Sequence, residues 1–287
     1  MRIIIAWNHK VMKETSVGIS DALTLMNIEH DCTYFNGRNI HDDENLYIIV
    51  GVHLYDNLPL NYIVIQCEQP GSHWMYDKTL YEKFDKSICL WEISPKMNIK
   101  WKTTTSYDSY YVPIRIPMHL FIDFSQERNK PVEQDIDILF YGGIHAKRVE
   151  MRKRLKKQFP TKKIIFRYFD LFGEERENMI DRAKIVLNIH FWPQSGLATH
   201  RIEYLMSRGK CVVTDRSQDE TLDSEYENAV VFSSYTDFPK TIGNLLENPE
   251  KIKQMGIIAN ETSLKHQCNL SYMRNALLGC SKNIKTK

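Results

Sequence analysis

The sequence has 287 residues, 43% of them hydrophobic and 26% charged, with a formal net charge of +2. That length accommodates two modest domains, and the composition is ordinary for a globular protein. The near balance of charge lacks the basic excess expected of a nucleic-acid-binding protein, and no run reaches the ~18 apolar residues of a membrane span.

The opening "MRIIIAWNHK" has too short an apolar core for a signal peptide and reads as a strand over 2–7, so a cytoplasmic protein is expected. Helical apolar spacing follows over 17–30, then strand signals over 32–36, 46–52 and 61–67. The last of these opens "NYIVIQCEQPGSHWMYD" (61–77), a strand that ends in a carboxylate. Glu68 there is a candidate general base for a hydroxyl acceptor, with His73 and His53 as rivals. A lone loop histidine is also an ordinary surface residue, and "HWMY" (73–76) suits either sugar stacking or the core. Residues 78–93 suit a helix ending before Pro95, and the prolines of 110–117 favour extended chain.

A polar stretch, "DFSQERNKPVEQD" (123–135), reads as a linker, giving domains over 1–124 and 136–287 joined by 125–135. Strand–helix alternation then restarts: "IDILFYGG" (136–143), a basic helix within 145–158, a strand over 162–169, a helix over 174–184 and a strand over 185–191. "THRIEYLMSRGKCVVTD" (199–215) reads as a short helix, a glycine and a strand, followed by a strand within 228–234. Residues 235–256 read as two short helices divided at Asn248–Pro249, and 260–279 as a final helix placed back on the first domain. Two successive β-α-β series imply two Rossmann-like parallel sheets, an α/β protein whose ligands meet the carboxyl ends of the strands. The six cysteines show no CxxC spacing and read as free thiols in a reducing compartment.

Three stretches carry candidate chemistry. Gly142 and Gly143 end a strand and permit close backbone approach to a phosphate, with Lys147 and Arg148 opening the next helix. The spacing is neither GxGxxG nor a P-loop, and the basic run also suits a solvated helix face. Asn188 and His190 alternate at a later strand end, and Thr199 and Glu203, one helical turn apart, are read as a capping box. The alternative for Glu203 is a carboxylate that accepts hydrogen bonds from ribose hydroxyls. "DID" (135–137) fits an Asp-x-Asp metal pattern, yet it opens a strand where edge solvation accounts for it, so no metal site is expected.

"RIEYLMSRGKCVVTD" (201–215), its continuation through about residue 262, and "DILFYGGIHAKRVEMRKRL" (137–155) resemble the GT-B glycosyltransferases of the group-1-like, spore-maturation-type kind. The stretch 61–77 is more loosely similar to a strand end of phage DNA β-glucosyltransferases. The resemblance implies two Rossmann-like domains facing a cleft. It implies sugar transfer from a nucleoside diphosphate sugar, uridine ahead of guanosine, to a hydroxyl on a carbohydrate, protein or other acceptor. Glu203 would hold the ribose, and Arg201, Arg148 and Lys147 with Gly142 and Gly143 would face the diphosphate. Asn188, His190 and Thr199 would line the donor pocket, and Glu68 or His73 would serve catalysis. Retaining relatives carry a second glutamate eight residues before the ribose-binding one; here that position is Ser195, which favours inversion. Basic side chains rather than a metal or other cofactor would stabilise the leaving group. A non-catalytic sugar- or nucleotide-binding protein, a nucleotide-sugar epimerase and a DNA-modifying glucosyltransferase are the alternatives, the last disfavoured by the net charge.

Overall fold

The computed structural model describes residues 1–41, 43–69, 72–121 and 132–285. The chain forms two compact units, Met1–His119 with Gln267–Lys287, and Leu120–His266. Of the expected linker, residues 125–131 lie outside the described residues.

The first unit is built from β1 (Ile3–Trp7), α1 (Lys13–Leu25), β2 (His30–Tyr34), β3 (Leu46–Val50), β4 (Tyr62–Gln66), α2 (Lys78–Lys86), β5 (Cys89–Glu92), α3 (Pro95–Thr104) and β6 (Ser109–Tyr111). Its six strands are all parallel in the order β2-β1-β3-β4-β5-β6. A parallel sheet is covered on both faces, and β3 displays the consequence. Ile48 and Val50 enter one apolar cluster with Ile63 and Trp91, while Tyr47 and Ile49 enter the other with Val64, Phe84 and Trp101.

The structure departs from the expected elements in two places here. Helix α1 starts at Lys13 and stops at Leu25, just before Asn27 takes a positive φ of 57°. The single helix expected over 78–93 is a helix and a strand: α2 ends at Lys86, and Ile88 donates its N–H to the Tyr62 carbonyl (2.8 Å) as β5 joins β4. The apolar spacing of "SICLWEI" is compatible with both states, and burial of all four β5 residues in the sheet decides for the strand. Helix α3 follows because Ser94 caps it, accepting from Met97 N (3.1 Å), and Pro95 pre-sets its first turn.

The second unit contains β7 (Ile136–Gly142), α4 (Ala146–Gln158), β8 (Ile164–Tyr168), α5 (Gly173–Arg182), β9 (Ala183–Asn188), α6 (Thr199–Ser207), β10 (Cys211–Thr214), α7 (Glu220–Glu225), β11 (Val231–Phe232) and α8 (Phe238–Leu246). Its parallel sheet has the order β11-β10-β9-β7-β8, with Ile138, Phe140, Ile185, Leu187 and Val213 in the core. The tail differs from expectation: α9 (Pro249–Cys268) is one 20-residue helix and α10 (Ser271–Cys280) a separate one. Asn260 and Ser263 suit a helix poorly by propensity, but their side chains bond Ser207 O (2.7 Å) and Glu203 Oε2 (2.6 Å).

Residues 267–287 rejoin the first unit, where Met273, Ala276 and Cys280 enter its core. This return brings Cys280 onto β5, 191 residues from Cys89, and the two are disulfide-bonded. The expectation of six free thiols is corrected for that pair; Cys32, Cys67, Cys211 and Cys268 are free. Among the described residues no helix is long and apolar enough to cross a membrane.

Candidate functional site

The carboxyl ends of β7, β9 and β10 bring most of the expected donor residues together in the second unit. Gly142 has a φ of 141°, a conformation that favours glycine, and a Cβ there would lie 2.7 Å from Arg201 Nη2, so a side chain would push the guanidinium aside. Gly143 is bordered by the rings of Phe169 and Phe191. Arg148, one turn into α4, is buried and donates to the Ile189 carbonyl from Nε (3.0 Å) and Nη2 (2.6 Å), and to Gly143 O from Nη1 (2.8 Å). Burial, and then the charge of Arg201, pulls the Arg148 pKa down to about 10.

Arg201, in the first turn of α6, lies over the Tyr141 ring at 4.7 Å. Its Nη1 is buried with no hydrogen-bond partner among the described residues, and burial holds its pKa below the usual arginine range. Among the described residues no carboxylate is hydrogen-bonded to either guanidinium. Two mutually repelling cations stand beside a glycine pair, an arrangement whose charge an anion would offset.

Lys147 is tied to Asp215, Nζ to Oδ2 at 3.1 Å. Asp215 also accepts from the backbone N–H of His190 (2.9 Å) and lies 3.1 Å from His190 Nδ1. Burial raises the Asp215 pKa, but the hydrogen bonds and charge of His190 and the Lys147 ammonium outweigh it and hold it near about 2. Asn188 is turned into the sheet, donating to Thr214 Oγ1 (2.9 Å).

The capping-box alternative for Thr199 and Glu203 is not formed. The N-cap of α6 is Ala198, and Thr199 Oγ1 is buried without a hydrogen-bond partner among the described residues. Glu203 is 1% exposed; its Oε1 accepts from Tyr226 Oη (2.7 Å) and meets His266 Nδ1 (2.7 Å), and its Oε2 accepts from Ser263 Oγ. Sequence reasoning missed Tyr226, Ser263, His266 and Asp215. Only Asp215 had a signal, a polar residue ending a buried strand.

In the first unit, Gly51 (φ 77°) turns the chain after β3 so that His53 reaches Glu68 beyond β4, Nδ1 to Oε1 at 3.6 Å. Ser72 Oγ donates to Glu68 Oε2 (3.1 Å). Burial pushes the Glu68 pKa up. Burial, Lys83 and His73 pull His53 down to about 4, so at neutral pH this contact is a neutral imidazole beside a carboxyl group. Trp74 lies between two imidazoles, with ring centroids 4.7 Å from His53 and 4.5 Å from His73. None of His73–Tyr76 is buried, although Trp74 and Met75 pack against the core.

The "DID" aspartates lie at the amino end of β7. Asp135 pairs with Arg182 (2.7 Å) and Lys163, and Asp137 with Lys184 (2.7 Å). Hydrogen bonds from Arg182 and Lys163 hold Asp135 well below the usual carboxylate range.

Residues 144–275 match the family model described as glycosyl transferase-like. Among curated proteins none matches the sequence. Among solved structures the chain is similar to TarM, with a TM-score of 0.59 at 10% identity over 83% of this chain and 55% of TarM, so it spans about half the length of that protein. It is similar to Anabaena HepE in complex with UDP and glucose, with a TM-score of 0.58 at 9% identity over 97% of this chain and 99% of that one. It is also similar to the DNA modifying enzyme β-glucosyltransferase, with a TM-score of 0.54 at 15% identity over the whole of both chains. At these identities the likenesses establish the fold.

Proposed function

We propose that the chain is a glycosyltransferase of the group-1-like GT-B kind and that it moves a sugar from a nucleoside diphosphate sugar to an acceptor hydroxyl, with inversion. The observation that carries this reading is the pair of guanidinium groups, Arg148 and Arg201, beside Gly142–Gly143, with no carboxylate among the described residues hydrogen-bonded to either. A diphosphate satisfies both cations and the buried Nη1 of Arg201, and its negative charge grows as the bond to the sugar breaks. Lys147 adds charge and His190 and Thr199 are assigned to the pocket, while Asn188, bonded to Thr214 within the sheet, supports it from behind. A metal is not needed for that task, since fixed cations perform it.

Glu203 is assigned the ribose. Tyr226, Ser263 and His266 hold it, and a carboxylate offers about four acceptor positions, so a hydroxyl can still be accepted. Uridine is favoured over guanosine because HepE, which shares the fold, was crystallised with UDP. In the first unit Glu68 is assigned the acceptor proton, with His73 beside it. The acceptor oxygen attacks the anomeric carbon, the bond to the diphosphate breaks, and the proton passes to Glu68. The raised pKa of Glu68 makes it a stronger base than an exposed carboxylate.

Thermal unfolding with uridine and guanosine diphosphates and their sugars tests the donor half. Uridine ligands are expected to raise the midpoint of the wild type, the shift being lost in Arg148→Ala and Arg201→Ala. A wild type that none of them stabilises refutes the reading.

A further inference from the structure

Phe169, the residue after β8, takes a φ of 61°, in the left-handed region. Among the described residues the one other non-glycine with a positive φ is Asn27, and asparagine is a type enriched there. For a bulky side chain the conformation is strained and persists only where the surroundings impose it. Here the Phe169 N–H donates to Gly142 O (3.1 Å), and Arg167 Nε ties the turn together by donating to Asp170 Oδ2 (2.9 Å). Burial of the ring does not offset the strain, because Phe169 is 66% exposed. Fold stability alone favours glycine or asparagine at such a position. Strained residues of this kind cluster at ligand sites, where binding is the compensating gain.

The surroundings of the ring say which ligand. Its Cε1 and Cζ lie 3.2 Å from the place a Cβ on Gly143 would take, and the carbonyl of that same glycine receives Arg148 Nη1 (2.8 Å). The ring thus stands open at the glycine pair to which the diphosphate is assigned. The other ring at Gly143, Phe191, is already engaged, 4.8 Å from the His145 ring and 5.0 Å from the Arg148 guanidinium. A phenyl ring carries no hydrogen-bonding group, so what it recognises is a flat apolar or π face. Phosphate oxygens call for donors, and the ribose and the transferred sugar are ringed with hydroxyls that call for polar partners. Of the parts of a nucleoside diphosphate sugar, the base alone is planar and aromatic, and every base has a face that stacks on an aromatic side chain.

We propose that Phe169, held exposed in a strained backbone beside Gly143, is the platform on which the nucleobase of the donor stacks. This rests on the donor-site reading above.

Phe169→Asn tests it, since it removes the ring and suits the left-handed backbone, with Phe169→Tyr as the variant that keeps the ring. Stability and binding are expected to move in opposite directions in Phe169→Asn. Without nucleotide its thermal midpoint is expected to rise by about 2–4 °C as the strain is relieved. Its affinity for UDP, or for GDP where that binds wild type better, is expected to fall about tenfold, the contribution of one stacked base. Phe169→Tyr is expected to match wild type in both. In wild type with the bound nucleotide, nuclear Overhauser contacts are expected between the Phe169 ring protons and those of the base. A midpoint that fails to rise in free Phe169→Asn shows that the ring serves the fold and overturns the proposal, as does nucleotide affinity equal to that of wild type. Overhauser contacts that run from the ring to the hexose of UDP-glucose instead of the base also overturn it. Each of these results leaves the diphosphate site of Arg148 and Arg201 standing. Wild type that binds neither UDP nor GDP overturns both readings.

Discussion

Glu203 is the residue whose position was most legible in the sequence and whose surroundings were least so. Its place on a short helix before a glycine and a buried strand was evident, yet its partners Tyr226, Ser263 and His266 lie 23, 60 and 63 residues away. No spacing rule reaches that far. The same holds for His53, an isolated loop histidine in sequence that meets Glu68 only because Gly51 turns the chain. Its pKa, drawn from 6.5 to about 4, has a consequence for stability. The folded pKa lies below the unfolded one, so the unfolded chain binds more protons in the window between them. The contribution of neutral His53 is therefore present above pH 6.5 and is lost as the pH falls toward about 4. Urea midpoints across that window are expected to fall more steeply for wild type than for His53→Gln. Parallel curves would show that the burial of the ring is not felt by its proton.

At the scale of elements, strand ends were read better than helix ends. Buried parallel strands rich in Ile and Val announce themselves, and β1, β3, β4 and β7 lie where their apolar runs lie. Helices depended on tertiary partners: α9 passes through Asn260 and Ser263 because α6 accepts their hydrogen bonds. Strand β5 was hidden in a helical spacing and proved the partner of α10 through Cys89 and Cys280. A cross-link spanning 191 residues restricts the unfolded chain strongly. Cys280→Ser is expected to cost about 2–4 kcal/mol of stability under oxidising conditions, with the difference from wild type vanishing when both are reduced. Thiol titration of the denatured, unreduced wild type is expected to find the four free cysteines. Six would remove the premise.

For the whole molecule, the two β-α-β series foretold two parallel sheets, but chain order concealed which residues complete the first. The first unit closes only when residues 267–287 return to it. Arg115, 1% exposed, donates to the carbonyls of Gln267 (3.0 Å) and Asn269 (2.7 Å), and Gln267 Oε1 accepts from Ile116 N (3.0 Å). Gly18 and Gly279 record how close this packing is, since a Cβ on the first would lie 2.5 Å from the Arg115 backbone and on the second 2.1 Å from Tyr110 Oη. A chain ending at His266 loses Met273, Ala276 and Cys280 from the first core and strips Arg115 of two acceptors, while the core and the candidate donor residues of the second unit keep their partners. A buried guanidinium deprived of its acceptors is among the costliest defects a fold can carry. Hydrogen exchange on that truncated chain is expected to find β1–β6 unprotected and β7–β11 protected. Nucleotide binding is expected to persist, because its proposed contacts all lie between Gly142 and His266. Loss of protection in both sheets would mean that the second unit depends on the first for its stability. Protection retained in both would mean that the returning segment is dispensable and that the buried Arg115 finds water in its place.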